Sequence, residues 1–339
     1  MLQLISKLHK SQLSKALAFC KANLPHGIIL HNFLALSRDG FYPKESTPKC
    51  YIDSNDLNHA APKYALFWVG EPLREPQTWS ISLIAFTNDK SSTLRDDATN
   101  FLHAVIAQEP ELLSKPCYFR LISKEDIADR DAQADILREV LQQYGEFQHL
   151  QHQLLSWMPV DDPKWTKELD ILLAQVDQFA RKNNLELDHN FGFNPGDVEF
   201  AYQTYPKHPH LKHQTLAQYR DQIQCLRGAV CFRKPMDKDE SSSSRIVAYL
   251  FIDIHAQGRG WTDPDFRGKG LAPMLATVAA ASNTAGTIYL GYTNPDNLAG
   301  VRASMNMKFL HFPSGYVSDV YRFLPRTVCK KEENMLAKL

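Results

Sequence analysis

Hydrophobic positions along this chain switch between two periods, and the switches outline its elements. Trp79, Ile81, Leu83 and Ala85 recur at every second position, the pattern of a strand with one face packed. Extended runs also lie at Tyr64 to Val69 and Tyr118 to Ile122, and a helix is expected near Ala98 to Ala107. Before them, Leu2, Ile5, Leu13, Ala16, Leu17 and Cys20 share one apolar stripe at helical spacing, which predicts a first helix. From Ile127 to about Asn183 the chain is rich in Gln, Leu, Glu and Ala. Trp165, Leu169, Leu172, Val176 and Phe179 recur there at helical spacing, with Pro159 and Pro163 as interruptions. This stretch reads as a helical connector that closes an N-terminal α/β domain at residues 1–184.

The second half, residues 185–328, has a definite order. A turn at Asn194-Pro195-Gly196 leads into a helix at Asp197 to Tyr205. A second helix, Thr215 to Arg227, bears Leu216, Tyr219, Ile223 and Leu226 and stops at Gly228. Strands follow at Ala229 to Arg233 and Arg245 to Ile254, separated by a charged, serine-rich loop, and Gly258 to Thr262 continues the sheet. After Asp263-Pro264-Asp265-Phe266 and a glycine loop comes a helix with Leu271, Leu275 and Val278 inward. A strand at Thr287 to Tyr292, a helix with Leu298, Val301, Met305 and Phe309 on one face, and a last strand near Tyr316 to Leu324 complete the series; residues 329–339 read as a tail.

Charge removes some partners. Lys plus Arg and Asp plus Glu both total 38, so no global field draws nucleic acid or an anionic membrane, and neither is an expected partner. Six cysteines occur without any C-x-x-C pair, which argues for reduced thiols rather than a zinc site or a disulfide framework. No apolar run is long enough to cross a bilayer. The first 25 residues hold Lys7, Lys10, Lys15 and Lys21 and no acid, a bias shared with organelle transit segments, but no arginine. The expected compartment is the cytoplasm, with the mitochondrion as the alternative.

Chemistry concentrates at Arg267-Gly268-Lys269-Gly270-Leu271-Ala272. Strand, glycine loop and helix coincide here. Glycines allow close backbone approach, and the unpaired N–H groups of a helix start carry the positive end of the dipole, so the segment is an anion cradle. Neither the dinucleotide fingerprint nor the P-loop spacing is met. The spacing R-x-x-G-x-A instead resembles the [Q/R]-x-x-G-x-[G/A] loop of the GNAT acyltransferase superfamily. That resemblance implies an α/β (α+β) fold with a mixed, mostly antiparallel sheet, and acetyl-CoA or another acyl-CoA as co-substrate. Within the superfamily, Leu24-Pro25-His26-Gly27-Ile28-Ile29-Leu30-His31 and the Gly258 to Gly270 segment resemble the glycine N-acyltransferase-like proteins of animals. The N-terminal half is then expected to be a smaller α/β domain, of degenerate GNAT type.

The resemblance implies that Trp261, Thr262, Arg267, Gly268, Lys269, Gly270, Leu271, Ala272, Asn297 and Arg302 hold CoA. It implies transfer of the acyl group to a small-molecule amine, glycine or another small amino acid. The proton-transfer positions depart from the pattern. Ala256 stands where glycine N-acyltransferases carry a glutamate, Ser304 where many GNAT enzymes carry a tyrosine acid, and Lys308 replaces a glycine. His255 is the expected base, since imidazole titrates near neutrality, with Asp253 as the other candidate. These departures keep open a CoA-binding module weakened in turnover; a protein or peptide N-acetyltransferase is the other alternative. His208, His210 and His213 read as solvated loop histidines, and no metal is expected. Lys207 and Lys212 could attract an acceptor carboxylate.

Overall fold

The computed structural model describes residues 2–4, 10–38, 49–53, 65–69, 79–85, 92–114, 116–124, 127–158, 163–204, 215–225, 229–235, 244–252, 258–282, 286–307 and 310–326. The chain forms two compact units, Met1–Leu154 with Gly315–Leu339, and Leu155–Ser314.

In the first unit the order is β1 (Leu2–Leu4), α1 (Lys10–Ala22), α2 (Ile28–Arg38), β2 (Lys49–Asp53), β3 (Ala65–Val69), β4 (Trp79–Ala85), α3 (Ser92–Gln108), β5 (Cys117–Lys124), α4 (Ile127–Leu141) and β6 (Gly145–Trp157). The last strand of the chain, β12 (Tyr316–Pro325), lies between β5 and β6, antiparallel to both. Strands β4 and β5 pair in parallel, through Trp79 to Ile81 against Cys117 to Phe119. Helices α3 and α4 cover the sheet, with Phe101, Leu102, Val105, Leu137 and Val140 packed on Phe119, Leu121, Tyr321 and Phe323. Each such side chain contributes about 1.5–3 kcal/mol by leaving water.

In the second unit α5 (Pro163–Lys182) precedes β7 (Glu186–Asp188), α6 (Asp197–Thr204), α7 (Leu216–Cys225), β8 (Val230–Lys234), β9 (Arg245–Ile252), β10 (Gly258–Thr262), α8 (Leu271–Ala281), β11 (Leu290–Thr293) and α9 (Leu298–Asn306). Strands β7 to β10 form an antiparallel sheet with β10 at its edge. One face packs under α6 and α7 through Phe191, Val198, Tyr219, Ile223, Cys231, Tyr249 and Phe251. On the other lies α8, which buries Leu271, Leu275 and Val278 against β8, β9 and β10 and packs beside α5. Apart from α5, the element order β1 to β6 recurs from β7 to β12. The expected mixed, mostly antiparallel α/β architecture is present in both halves.

Three sequence expectations change. Leu2 belongs not to a helix but to a strand, because Leu2 to Leu4 pair with Tyr51 to Asp53; a tertiary ladder outweighs local periodicity. The Gln-rich connector contains β6, whose outer positions are Glu, Gln and His and whose buried residues appear only near its end. In α9, Leu298 and Met305 are exposed and the buried side chain is Ser304.

Candidate functional site

A partly buried ionic brace fixes the start of the second unit. Arg233 on β8 donates from Nε to Asp188 Oδ2 at 2.8 Å and from Nη2 to both oxygens of Asp197 at 2.8 Å. Asp197 also accepts the Gly192 N–H at 3.0 Å. Burial raises the Asp188 carboxyl, but the Asn190 N–H and the Arg233 guanidinium outweigh it, and the net shift is downward. The turn into α6 is thereby tied to the sheet.

At the opposite end, β10 runs into the loop. Asp263 extends the ladder through its N–H to Val247 O at 2.9 Å, and its buried carboxylate accepts the Asp265 N–H at 2.9 Å. Arg245 binds the other carboxylate oxygen. This caps a single turn, Pro264–Phe266. Arg267 then folds back, donating from Nε to Thr262 O at 3.2 Å. Two ammonium groups lie over the ring of Phe266, that of Lys269 at 4.7 Å and that of Lys234 at 5.8 Å, a cation–π arrangement that gathers positive charge beside the loop.

Gly268 and Gly270 have φ of +75° and +83°, and a Cβ at either would meet nothing within 4 Å. The left-handed backbone explains the glycines, and among the described residues no atom comes within 4 Å of a Cβ placed at either. Gly270 is the N-cap of α8 and has no side chain to satisfy the first N–H groups. Because Pro273 carries no N–H, the donors open at the helix start are those of Leu271 and Ala272. Leu271 is buried while Arg267 to Gly270 are exposed, so the cradle rests on a fixed base and faces outward.

Among the described residues strand β10 has no partner on its outer edge, and β11 lies in a different sheet. Where β10 begins they are held close, since a Cβ on Gly258 would stand 2.1 Å from the hydroxyl of buried Tyr289. Burial drives the Tyr289 phenol well above its ordinary pKa, so it stays protonated. Beyond β11, the buried hydroxyls of Thr293 and Ser304 lie 3.2 Å apart and tie strand to helix.

Of the residues expected to hold CoA, Trp261 and Thr262 on β10 and Arg267, Gly268, Lys269, Gly270, Leu271 and Ala272 form one continuous run at the cradle. Asn297 is the N-cap of α9, its Oδ1 accepting the Gly300 N–H at 3.1 Å, and Arg302 is an exposed residue of that helix. Asp253, His255 and Ala256, as well as Lys207, His208, His210, Lys212, His213 and Lys308, lie outside the described residues. Sequence reading missed Arg245 and Tyr289, which reach the site from other segments. It also missed a cluster in the first unit: Asp319 on β12, 1% exposed, accepts from His149 Nε2 and His152 Nδ1 on β6, each at 3.0 Å. Some 170 residues separate His149 from Asp319, so no local motif announces it. Among the described residues, no group of His, Cys, Asp or Glu could hold a metal ion.

The site is thus a glycine-lined helix start that follows the edge strand β10. The sequence matches no protein-family model, and a comparison with curated proteins finds no match. Among solved structures, the chain resembles a tandem GNAT protein from the clavulanic acid biosynthesis pathway, at 10% identity and a TM-score of 0.47, over 96% of this chain and 98% of that one. A GCN5-related N-acetyltransferase from Sphaerobacter thermophilus aligns at 12% identity and 0.43, over 81% and 79%. The N-myristoyltransferase of Saccharomyces cerevisiae, with bound myristoyl-CoA, aligns at 10% and 0.36, over 95% and 82%.

Proposed function

We propose that this protein is an acyl-CoA-dependent N-acyltransferase of the GNAT type, most like the glycine N-acyltransferase-like proteins, acting on glycine or another small amino acid. The observation that carries the reading is the left-handed glycine backbone of Gly268 and Gly270 at the uncapped first turn of α8, directly after an edge strand. A diphosphate fits that cradle as a CoA pyrophosphate would, accepting N–H groups with Arg267 and Lys269 nearby. The pantetheine arm, rich in amides, then lies along the free edge of β10 and pairs with its backbone.

The acyl carbonyl comes to rest near Trp261 and Thr262, where a strand N–H polarises its oxygen. The amine nitrogen attacks the carbonyl carbon, a tetrahedral oxyanion forms, and its collapse breaks the C–S bond. CoA leaves as a thiolate, which needs little acid help because its parent thiol has a pKa near about 8.5. The proton lost by the amine passes to a base, for which we assign His255, with Asp253 as the alternative. No metal takes part. We place the reaction in the cytoplasm, with the mitochondrion as the alternative.

The test is a screen of acyl-CoA donors against amine acceptors, read by product mass and by thiol release. One active pair establishes class and substrate together, and His255→Ala should then lower kcat by about 10²–10⁴. If calorimetry detects no binding of acetyl-CoA or longer acyl-CoAs, the reading is wrong. Binding without thiol release across the amine panel would favour the weakened CoA-binding module instead.

A further inference from the structure

The start of β10 is held by a side chain that comes from the far side of the proposed donor path. Tyr289, one residue before β11, is 3% exposed. Its backbone carbonyl accepts the Met158 N–H at 3.0 Å, which fixes its main chain, and its ring reaches across to β10. A Cβ built on Gly258 would stand 2.1 Å from the phenol oxygen, 2.8 Å from Cζ and 3.1 Å from Cε2. At such distances the phenol and any side chain at residue 258 exclude each other. Glycine and tyrosine are a fitted pair, joining two strands that lie in different sheets.

Register decides which face of β10 the pair occupies. Trp261 lies opposite Tyr249 and Arg259 opposite Phe251, and both partners belong to the aromatic core under α6 and α7. Gly258, Gly260 and Thr262 therefore point to the other face. At Gly260 the atoms nearest to a built Cβ come from the neighbouring strand β9, Tyr249 O at 2.9 Å and the Leu250 side chain at 3.5 Å. On this face β10 itself offers no side chain between Thr262 and the ring of Tyr289.

Resting on the acyltransferase reading, we infer that Tyr289 is the stop that sets the length of the acyl group, so that the donors are short acyl-CoAs. An acyl chain that leaves the carbonyl beside Trp261 and continues along β10 travels three residues, roughly 10 Å, before Gly258. Contact with the phenol takes up about 3.5–4 Å of that. At about 1.2 Å per bond, the pace of an extended chain, the remainder holds about five bonds, an acyl group of about six carbons. Tyr289 is a specificity residue in this scheme, with no part in proton transfer.

Calorimetry with acetyl-, hexanoyl- and decanoyl-CoA on wild type, Tyr289→Phe and Tyr289→Ala reads the stop without needing an acceptor. Wild type is expected to bind decanoyl-CoA at least tenfold more weakly than acetyl-CoA or hexanoyl-CoA. Tyr289→Phe keeps the ring and should keep that order. Tyr289→Ala removes the ring and should bring decanoyl-CoA within twofold of acetyl-CoA. Wild type that binds decanoyl-CoA as tightly as acetyl-CoA overturns the inference, and so does Tyr289→Ala with an unchanged ratio between the two. If Tyr289→Ala does not fold, Tyr289→Leu, which leaves a smaller void, supplies the same comparison. No binding of any acyl-CoA to wild type would overturn the acyltransferase reading itself, a failure distinct from an unchanged length profile.

Discussion

Gly270 offers a controlled perturbation because the fold contains its own reference. Gly270 and Gly196 have nearly the same backbone, φ +83° and +84°, and a Cβ at either meets no atom within 4 Å. Both lie in the second unit, Gly196 in the turn before α6 and Gly270 at the start of α8. Replacement by alanine at either site therefore costs the same quantity, the left-handed strain of roughly 1–2 kcal/mol, without steric overlap. A unit of this size should lose roughly 2–4 °C in Tm for each kcal/mol. The two variants part company at the ligand. In Gly270→Ala the methyl group occupies the space through which a diphosphate reaches the helix N–H groups, so CoA affinity should fall at least tenfold, about 1.4 kcal/mol. Gly196→Ala should bind CoA within twofold of wild type. Thermal unfolding and calorimetry on the two variants side by side read both quantities. Equal CoA affinity in the two would refute the assignment of the loop, and a far larger loss of Tm in Gly270→Ala would refute the strain argument.

Other consequences can be checked in the same preparations. Arg233→Met leaves the carboxylates of Asp188 and Asp197 without their cation, and denaturant unfolding should show a loss of about 3–5 kcal/mol. The Asp188 carboxyl is depressed in the folded state, so its contribution is present above the ordinary carboxylate pKa and disappears as pH falls through the lower folded value. Acid unfolding of wild type should begin below about pH 4, and that of Arg233→Met at higher pH. Asp319→Leu removes the acceptor of two imidazoles between β6 and β12 and should destabilise the first unit by about 1–3 kcal/mol, with CoA binding unchanged. Asn297→Ala removes the α9 cap and should cost about 1 kcal/mol; a loss of CoA affinity beyond that would show that the side chain also meets the ligand.

The cradle was legible in the sequence because its parts are local. Two glycines, a helix with Leu271, Leu275 and Val278 on one face, and a preceding strand are contiguous, and backbone sterics alone dictate where glycine must stand. Helix α9 was legible only as a helix. Its apolar spacing suggested Leu298 and Met305 as core, yet both are exposed and Ser304 is buried, since the neighbours that define an inside are set by the fold.

What the sequence determined by itself, then, was the order of the main elements in the second half and the glycine loop at the start of α8, both products of short-range periodicity and local φ preferences. Tertiary structure alone decided the rest. It placed β12 between β5 and β6, brought Arg245 to Asp263 and Tyr289 beneath Gly258, and gathered His149, His152 and Asp319. These pairings join residues far apart along the chain, and nothing in local spacing encodes which strand edges or charges will meet.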